Sequence, residues 1–443
     1  MNQNSPDVIV TSLRNGLVAA ADNYLNLLIQ VQAPDAPEAA TRTHRPALNL
    51  ALVIDRSGSM SGRPLHEAER CAGFIIDHLT PSDRLALVIY DDQIELLVPS
   101  TPVVDKRLFH SALAGVESHG STNLHAGWLK GAEEVAAHLD PAGISRVLLL
   151  SDGCANQGVT STDAIASQCR QLAEAGVSTS TYGLGNSFNE ELMVAMARSG
   201  RGNSYYGDTA EDLMDPFREE FALLTSLWAR DLRLFVRLPF SGGRVRVLNR
   251  FPNHPRGGCR MPDLAYGGEA WAVAQIKVPA AVTAVSSGTL AVASFEIEYS
   301  DNQGERREVM VPALYLLVLN AKDYHALTEN ELVARRLGEL QAADLQERAR
   351  DAARQGDWAG VREILTRVRK LAETNRWLAN VVAELEHLAA QEDRERFSKE
   401  TYYQALSMRE RLAGKNEAPD SAPASAPAAP YLRRKARIGK EGL

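Results

Sequence analysis

Leu48–Ser59 reads Leu-Asn-Leu-Ala-Leu-Val-Ile-Asp-Arg-Ser-Gly-Ser. A largely apolar run closed by a Gly-containing turn is the pattern of a strand buried on both faces of a parallel sheet. Asp55, Ser57 and Ser59 fall at i, i+2 and i+4, just past the carboxyl end of that strand. In extended backbone this spacing puts three side chains on one side of the chain. Open α/β sheets bind their ligands at that end, where the strand order reverses. A carboxylate with hydroxyls, and no Cys or His among them, suits a hard cation such as Mg²⁺ rather than zinc.

From Ala47 to about Leu227 strand and helix signals alternate, which implies a doubly wound, mainly parallel sheet covered on both faces. Pro64 opens a helix whose Leu65, Ala68, Ala72, Ile75 and Leu79 share one stripe. Arg84–Tyr90 is a strand, and Ile94–Val98 returns beside it as an antiparallel edge. Ser145–Leu150 is a second central strand, placed beside the first and ending at Ser151-Asp152-Gly153. Thr122 stands in the Gly120-Ser121-Thr122 loop, just before a helix. Loops at the carboxyl ends of adjacent central strands converge. Asp55, Ser57, Ser59, Thr122 and Asp152 are therefore the candidate ligands of one cation. Three hydroxyls and two carboxylates, with water, fill an octahedron of ~2.1 Å bonds.

The flanks have a different character. Residues 1–46 hold short strands, with Leu25, Leu27, Ile29 and Val31 alternating onto one face, and then a Pro/Ala/Thr linker. Residues 228–321 show the alternation and Gly turns of an antiparallel β-sandwich. That sandwich needs further strands, and the N-terminal ones are expected to supply them. The α/β domain, residues 47–227, is then inserted into a β domain. Residues 322–413 read as a C-terminal α-helical bundle, a three-helix bundle or hairpin. Residues 414–443 read as a disordered linker and a basic tail containing Arg433, Arg434, Lys435, Arg437 and Lys440.

The bulk numbers narrow the function. A formal net charge of −8 over 443 residues gives no reason to expect nucleic acid. No run approaches the ~18 apolar residues of a membrane span. The opening Met1–Val10 lacks the basic and apolar regions of a signal peptide, and the four cysteines lack metal-ligand spacing; together these lead us to expect a cytoplasmic protein with reduced thiols. There is no G-x-x-x-x-G-K-[ST] or G-x-S-x-G motif. In the run after Gly183-Leu184-Gly185 the third glycine of a dinucleotide loop is Phe188. His66, His119 and His125 read as surface or loop residues, with the rim of the metal site beside Thr122 as the lesser alternative for His125, and Asp91 and Asp92 read as a solvated turn at a strand end.

Asp55-Arg56-Ser57-Gly58-Ser59, the distant Thr122 and Ser151-Asp152-Gly153 together resemble the metal-ion-dependent adhesion site of von Willebrand factor type A domains. Tyr90-Asp91-Asp92, the run Gly120–Gly127 and the run Leu148–Gly158 are similar to bacterial members of that family. The resemblance covers about residues 47–227. It implies a Rossmann-like α/β fold with one divalent cation, usually Mg²⁺, with Mn²⁺ or Ca²⁺ as alternatives. Ser57, Ser59 and Thr122 would bind it directly, and Asp55 and Asp152 directly or through water. One coordination position would stay open for an acidic side chain of a partner protein, with no catalysis. The flanking regions resemble bacterial cytoplasmic relatives that wrap the domain in a β-sandwich. The expected function is a cation-dependent protein–protein interaction module. The alternative is a regulatory or adaptor subunit of a multiprotein assembly, partnered by an AAA+ ATPase of the MoxR or chelatase type, or a bacterial conflict system. A metal-dependent hydrolase would need a positioned general base, which the motif lacks.

Overall fold

The computed structural model describes residues 5–35, 46–151, 155–184, 188–207, 210–254, 257–286, 288–373, 375–410 and 413–414. The expected linker core, the tail beyond residue 414, and Asp152 lie outside the described residues.

Three strands come first: β1 (Asp7–Ser12), β2 (Gly16–Val18) and β3 (Asn23–Gln32). The α/β unit follows with β4 (Leu48–Asp55), α1 (Arg63–His78), β5 (Arg84–Tyr90), β6 (Ile94–Pro102), α2 (Lys106–Leu113) and α3 (Leu124–Ala136). It continues with β7 (Ile144–Ser151), α4 (Thr162–Glu174), β8 (Val177–Leu184), α5 (Glu190–Ser199), β9 (Arg201–Gly207) and α6 (Ala210–Thr225). The sheet order is β6-β5-β4-β7-β8-β9, and β6 is antiparallel to β5 while the other pairs are parallel. The chain fills one side of β4 with β5 and β6 and then crosses to β7 on the other. The order reverses at β4–β7, which is where such a sheet opens a crevice.

All eight residues of β4 are buried. Asn49, one of its two polar residues with Asp55, sends its amide to the carbonyls of Val135 at 2.8 Å and His138 at 3.0 Å. It thereby satisfies the end of α3, which is why a polar group is tolerated there. α3 lies very close to the sheet: a Cβ on Gly131 would stand 2.3 Å from Val53 Cγ2. Asp105, Asn123, Ser161 and Asn189 each cap the helix that follows, accepting an amide of its first turn. α1 turns Leu65, Ala68, Cys71, Ala72, Ile75 and Ile76 inward.

The rest of the chain adds β10 (Leu227–Arg237), β11 (Arg244–Val247), β12 (Cys259–Arg260), β13 (Leu264–Ala265), β14 (Gly268–Val278), α7 (Ala280–Ala284), β15 (Thr289–Asp301) and β16 (Arg306–Leu319). Then come α8 (Ala321–His325), α9 (Glu331–Arg354), α10 (Trp358–Ala372), α11 (Arg376–Gln391), α12 (Arg394–Glu410) and a two-residue β17 (Ala413–Gly414). One sheet runs β1-β3-β14-β11 with β17 on β14, and the other runs β12-β10-β15-β16-β2 with β13 on β10. Leu27, Ile29 and Val31 of β3 meet Leu234, Phe295 and Ile297 of the second sheet in one core. The N-terminal strands therefore complete a sandwich begun after the α/β unit.

Two expectations need correction. The sandwich is not wholly antiparallel, because β2 pairs parallel with β16. A three-residue strand is too short to show a periodicity. Among the described residues the helical region has four long helices rather than three. The break between α11 and α12 falls at Glu392, in the left-handed region at φ 54°, and Asp393 restarts the chain by accepting the Arg396 amide at 3.1 Å. Neither Gly nor Pro marks it. The outer face of the first sheet is also covered: Leu28, Trp271 and Val273 pack on Val333 and Leu340 of α9. Arg336 lies 4.6 Å from the Trp271 ring centre. Among the described residues no helix is long and apolar enough to cross a membrane.

Candidate metal centre

Three loops meet at the carboxyl ends of β4, β5 and β7. The first runs from Asp55 through a 3₁₀ turn at Gly58–Met60 to Gly62. The second holds Ser121 and Thr122 ahead of α3, and the third follows Ser151. Gly58 donates its amide to Gly120 O at 3.1 Å, and His119 donates to Arg56 O at 2.9 Å, so the first two loops are laced together. The second and third are laced as well. Asn156 accepts the Thr122 amide on Oδ1 at 2.9 Å and returns its own amide to Thr122 O at 3.1 Å.

Asp55 is fully buried and held from three sides. Its Oδ1 accepts the Ser57 amide at 2.8 Å; its Oδ2 accepts Ser151 Oγ at 2.6 Å and Tyr90 Oη at 3.3 Å. Burial pushes its carboxyl above the ordinary value, against the pull of these hydrogen bonds. Tyr90 is itself wedged by α3, since a Cβ on Gly127 would fall 2.5 Å from its ring. Gly127→Ala gains helix propensity but drives that ring out of place. The expected net is a loss of about 1–2 kcal/mol of stability, read in a chemical melt.

Ser57 is buried and Ser59 exposed, and their hydroxyl oxygens lie 3.2 Å apart. That is close to the edge, about 3.0 Å, of an octahedron with ~2.1 Å bonds. Thr122 is buried, two residues beyond the carbonyl that receives Gly58. Asp152 lies outside the described residues; its neighbour Ser151 is the one that bonds Asp55. Among the described residues no three His, Cys, Asp or Glu side chains gather as a metal cluster. The donors at these loops are therefore mainly hydroxyls, with a single described carboxylate, an all-oxygen set that fits a hard cation.

The structure moves three other residues. His125 is buried, with Nε2 2.6 Å from Gln168 Oε1 and its ring beside Trp128, so it braces α3 against α4. Asp91, expected in a solvated turn, is 1% exposed and faces Arg56 and His119. No local signal shows this, because both partners are remote in sequence. Phe188 packs against Gly183, where a Cβ would meet its ring at 2.5 Å.

The family described as the von Willebrand factor type A domain matches residues 49–219. This chain carries a von Willebrand factor type A domain. Such domains generally serve as protein-interaction modules. An uncharacterized Escherichia coli protein, YfbK, is 32% identical over 190 residues, 42% of this chain and 33% of that one. An uncharacterized Synechocystis protein, sll0103, is 26% identical over 209 residues, 47% of this chain and 49% of that one. This chain thus spans about a third to a half of the length of these curated relatives. Two solved structures share the fold over most of both chains. A von Willebrand factor type A protein from Catenulispora acidiphila has a TM-score of 0.65 at 18% identity, covering 86% of this chain and 91% of that one. The ArnB paralog VWA2 from Sulfolobus acidocaldarius has 0.59 at 17%, covering 91% and 99%. The shared fold therefore extends beyond the von Willebrand A domain into its flanks.

Proposed function

We propose that the chain is a divalent-cation-dependent protein-interaction module whose partner presents an Asp or Glu side chain. The observation that carries this reading is the Asp55–Ser59 turn at the sheet's switch point. Its carboxylate is fixed by three protein donors, and its two hydroxyls stand 3.2 Å apart. Ser57, Ser59 and Thr122 would hold Mg²⁺ or Mn²⁺, with Asp55 and Asp152 directly or through water. The bound ion would supply a Lewis-acidic position that two protein carboxylates leave unquenched. The described cysteines Cys71, Cys169 and Cys259 are buried, and a reducing compartment such as the cytoplasm is part of this reading.

The test is calorimetric titration of the chain with Mg²⁺ and Mn²⁺, followed by partner capture on immobilised chain with and without EDTA. One binding site and a partner released by chelator are expected. A chain that takes up neither ion, or a partner set unchanged by EDTA, overturns the reading.

A further inference from the structure

Asp91 follows β5, a strand that contributes none of the five candidate ligands. Its Oδ1 accepts the Gln93 amide at 2.6 Å. Its Oδ2 faces two basic side chains, with Arg56 Nε at 3.0 Å and His119 Nδ1 at 2.5 Å. Neither contact is an aligned hydrogen bond: Arg56 forms an ion pair with Asp91, and His119 does so when its ring is protonated. These two partners are not arbitrary. Arg56 stands between Asp55 and Ser57, and His119 stands three residues before Thr122. The backbone repeats the pattern at this strand end: Arg56 donates to Tyr90 O and Asn123 to Asp91 O, each at 2.8 Å. The Thr122 loop passes so close that Gly120, at φ +75°, would set a Cβ 2.0 Å from Asp92 Oδ1.

A turn at a strand end does not need a buried charge, and a buried carboxylate is costly unless paired. The Arg56 side chain is only 10% exposed, with Glu95 3.2 Å from its Nη1. Solvent therefore screens it weakly. Without Asp91 the guanidinium would leave a poorly compensated positive charge beside residues meant for a cation, and the two loops would lose the side chain that both of them grip.

We propose that Asp91 is a positioning residue of the cation site: by binding Arg56 and His119 together it fixes the Ser57–Ser59 turn against the Thr122 loop before any ion arrives. The effect on ion affinity rests on the function proposed above; the effect on the loops does not. The experiment uses the full chain with Asp91→Asn, which keeps size and removes charge. In EDTA, hydrogen exchange at the Gly58 and His119 amides, the two that cross between loops, is expected to rise at least tenfold while the melting temperature moves by a few degrees at most. Mn²⁺ affinity is expected to fall at least tenfold. A purely structural role would instead lower the melting temperature and leave affinity alone. Unchanged exchange, or unchanged Mn²⁺ affinity where the parent chain binds Mn²⁺, overturns the proposal. If the parent chain binds no ion, the function proposed above fails and exchange alone decides. Should Asp91→Asn not fold, His119→Gln removes one tie at a side chain 57% exposed, and the same rise in exchange at the His119 amide is required.

Discussion

Arg146→Ala is expected to lower the melting temperature of the α/β unit by roughly 6–20 °C. Arg146 sits on β7 with its side chain 4% exposed, and it pairs with the equally buried Glu220 of α6. Its Nε donates to Ser178 Oγ at 2.9 Å. Glu220 is further satisfied by Ser180 Oγ at 2.8 Å, Asn203 Nδ2 at 2.5 Å and Tyr205 Oη at 2.8 Å. Removing one partner of such a pair leaves an uncompensated buried charge, at a cost of about 3–5 kcal/mol. For a unit of this size each kcal/mol is worth roughly 2–4 °C. The double change Arg146→Met with Glu220→Leu should recover much of the loss, because a half-broken pair is worse than none. The pair also sets a pH window. Burial raises the Glu220 carboxyl, but Arg146 and the hydrogen bonds outweigh it and hold the group below its ordinary value of 4.5. A depressed folded value means the contribution is complete above about pH 4.5 and fades as pH falls through the lower folded value. Melts from pH 7 down to pH 3 should show the parent chain losing this increment in acid and the double variant lacking it.

Ser57→Ala with Ser59→Ala is expected to abolish stabilisation by divalent ions. An ion present at a hundred times its dissociation constant stabilises the folded state by about 2.7 kcal/mol. In the parent chain that is a rise of roughly 5–10 °C over EDTA. In the variant the Mg²⁺ and EDTA melts should coincide. Ser59 is exposed and Ser57 buried, so the ion-free variant should lose a few degrees at most. The difference between the two conditions is therefore the reading that counts. A variant that keeps the full Mg²⁺ increment would show that these hydroxyls hold no ion.

The α/β unit was legible because its signals are local. β4 is a largely apolar run, Pro64 starts a helix, and Asn189 caps another. The sandwich was legible through the alternation of Leu25, Leu27, Ile29 and Val31, all four of which lie in its core. The Asp55–Ser59 spacing is weak by itself, because Asp and Ser also favour turns; it becomes a candidate site only together with Thr122 and Asp152. What stayed hidden depends on residues far apart. Tyr90-Asp91-Asp92 has the letters of any turn, and only Arg56 and His119 make Asp91 a buried hub. His125 looked like a surface or loop residue because it neighbours Thr122, but a helix turns it inward toward Gln168. The break at Glu392 carries no Gly or Pro, so two helices read as one.

β3 lies between β1 and β14, and Gln32 Nε2 reaches Glu269 Oε2 at 2.7 Å across 237 positions of chain. Synthesis therefore separates the two units in time. Every strand and helix of the α/β unit exists once Thr225 has been made, so that unit can fold as the chain emerges. Leu27, Ile29 and Val31, made before the α/β unit, must wait for β14 and β15 to cover them. Strands made before the α/β unit are thus buried after it, and a nascent chain halted at the end of α6 would leave that apolar edge bare.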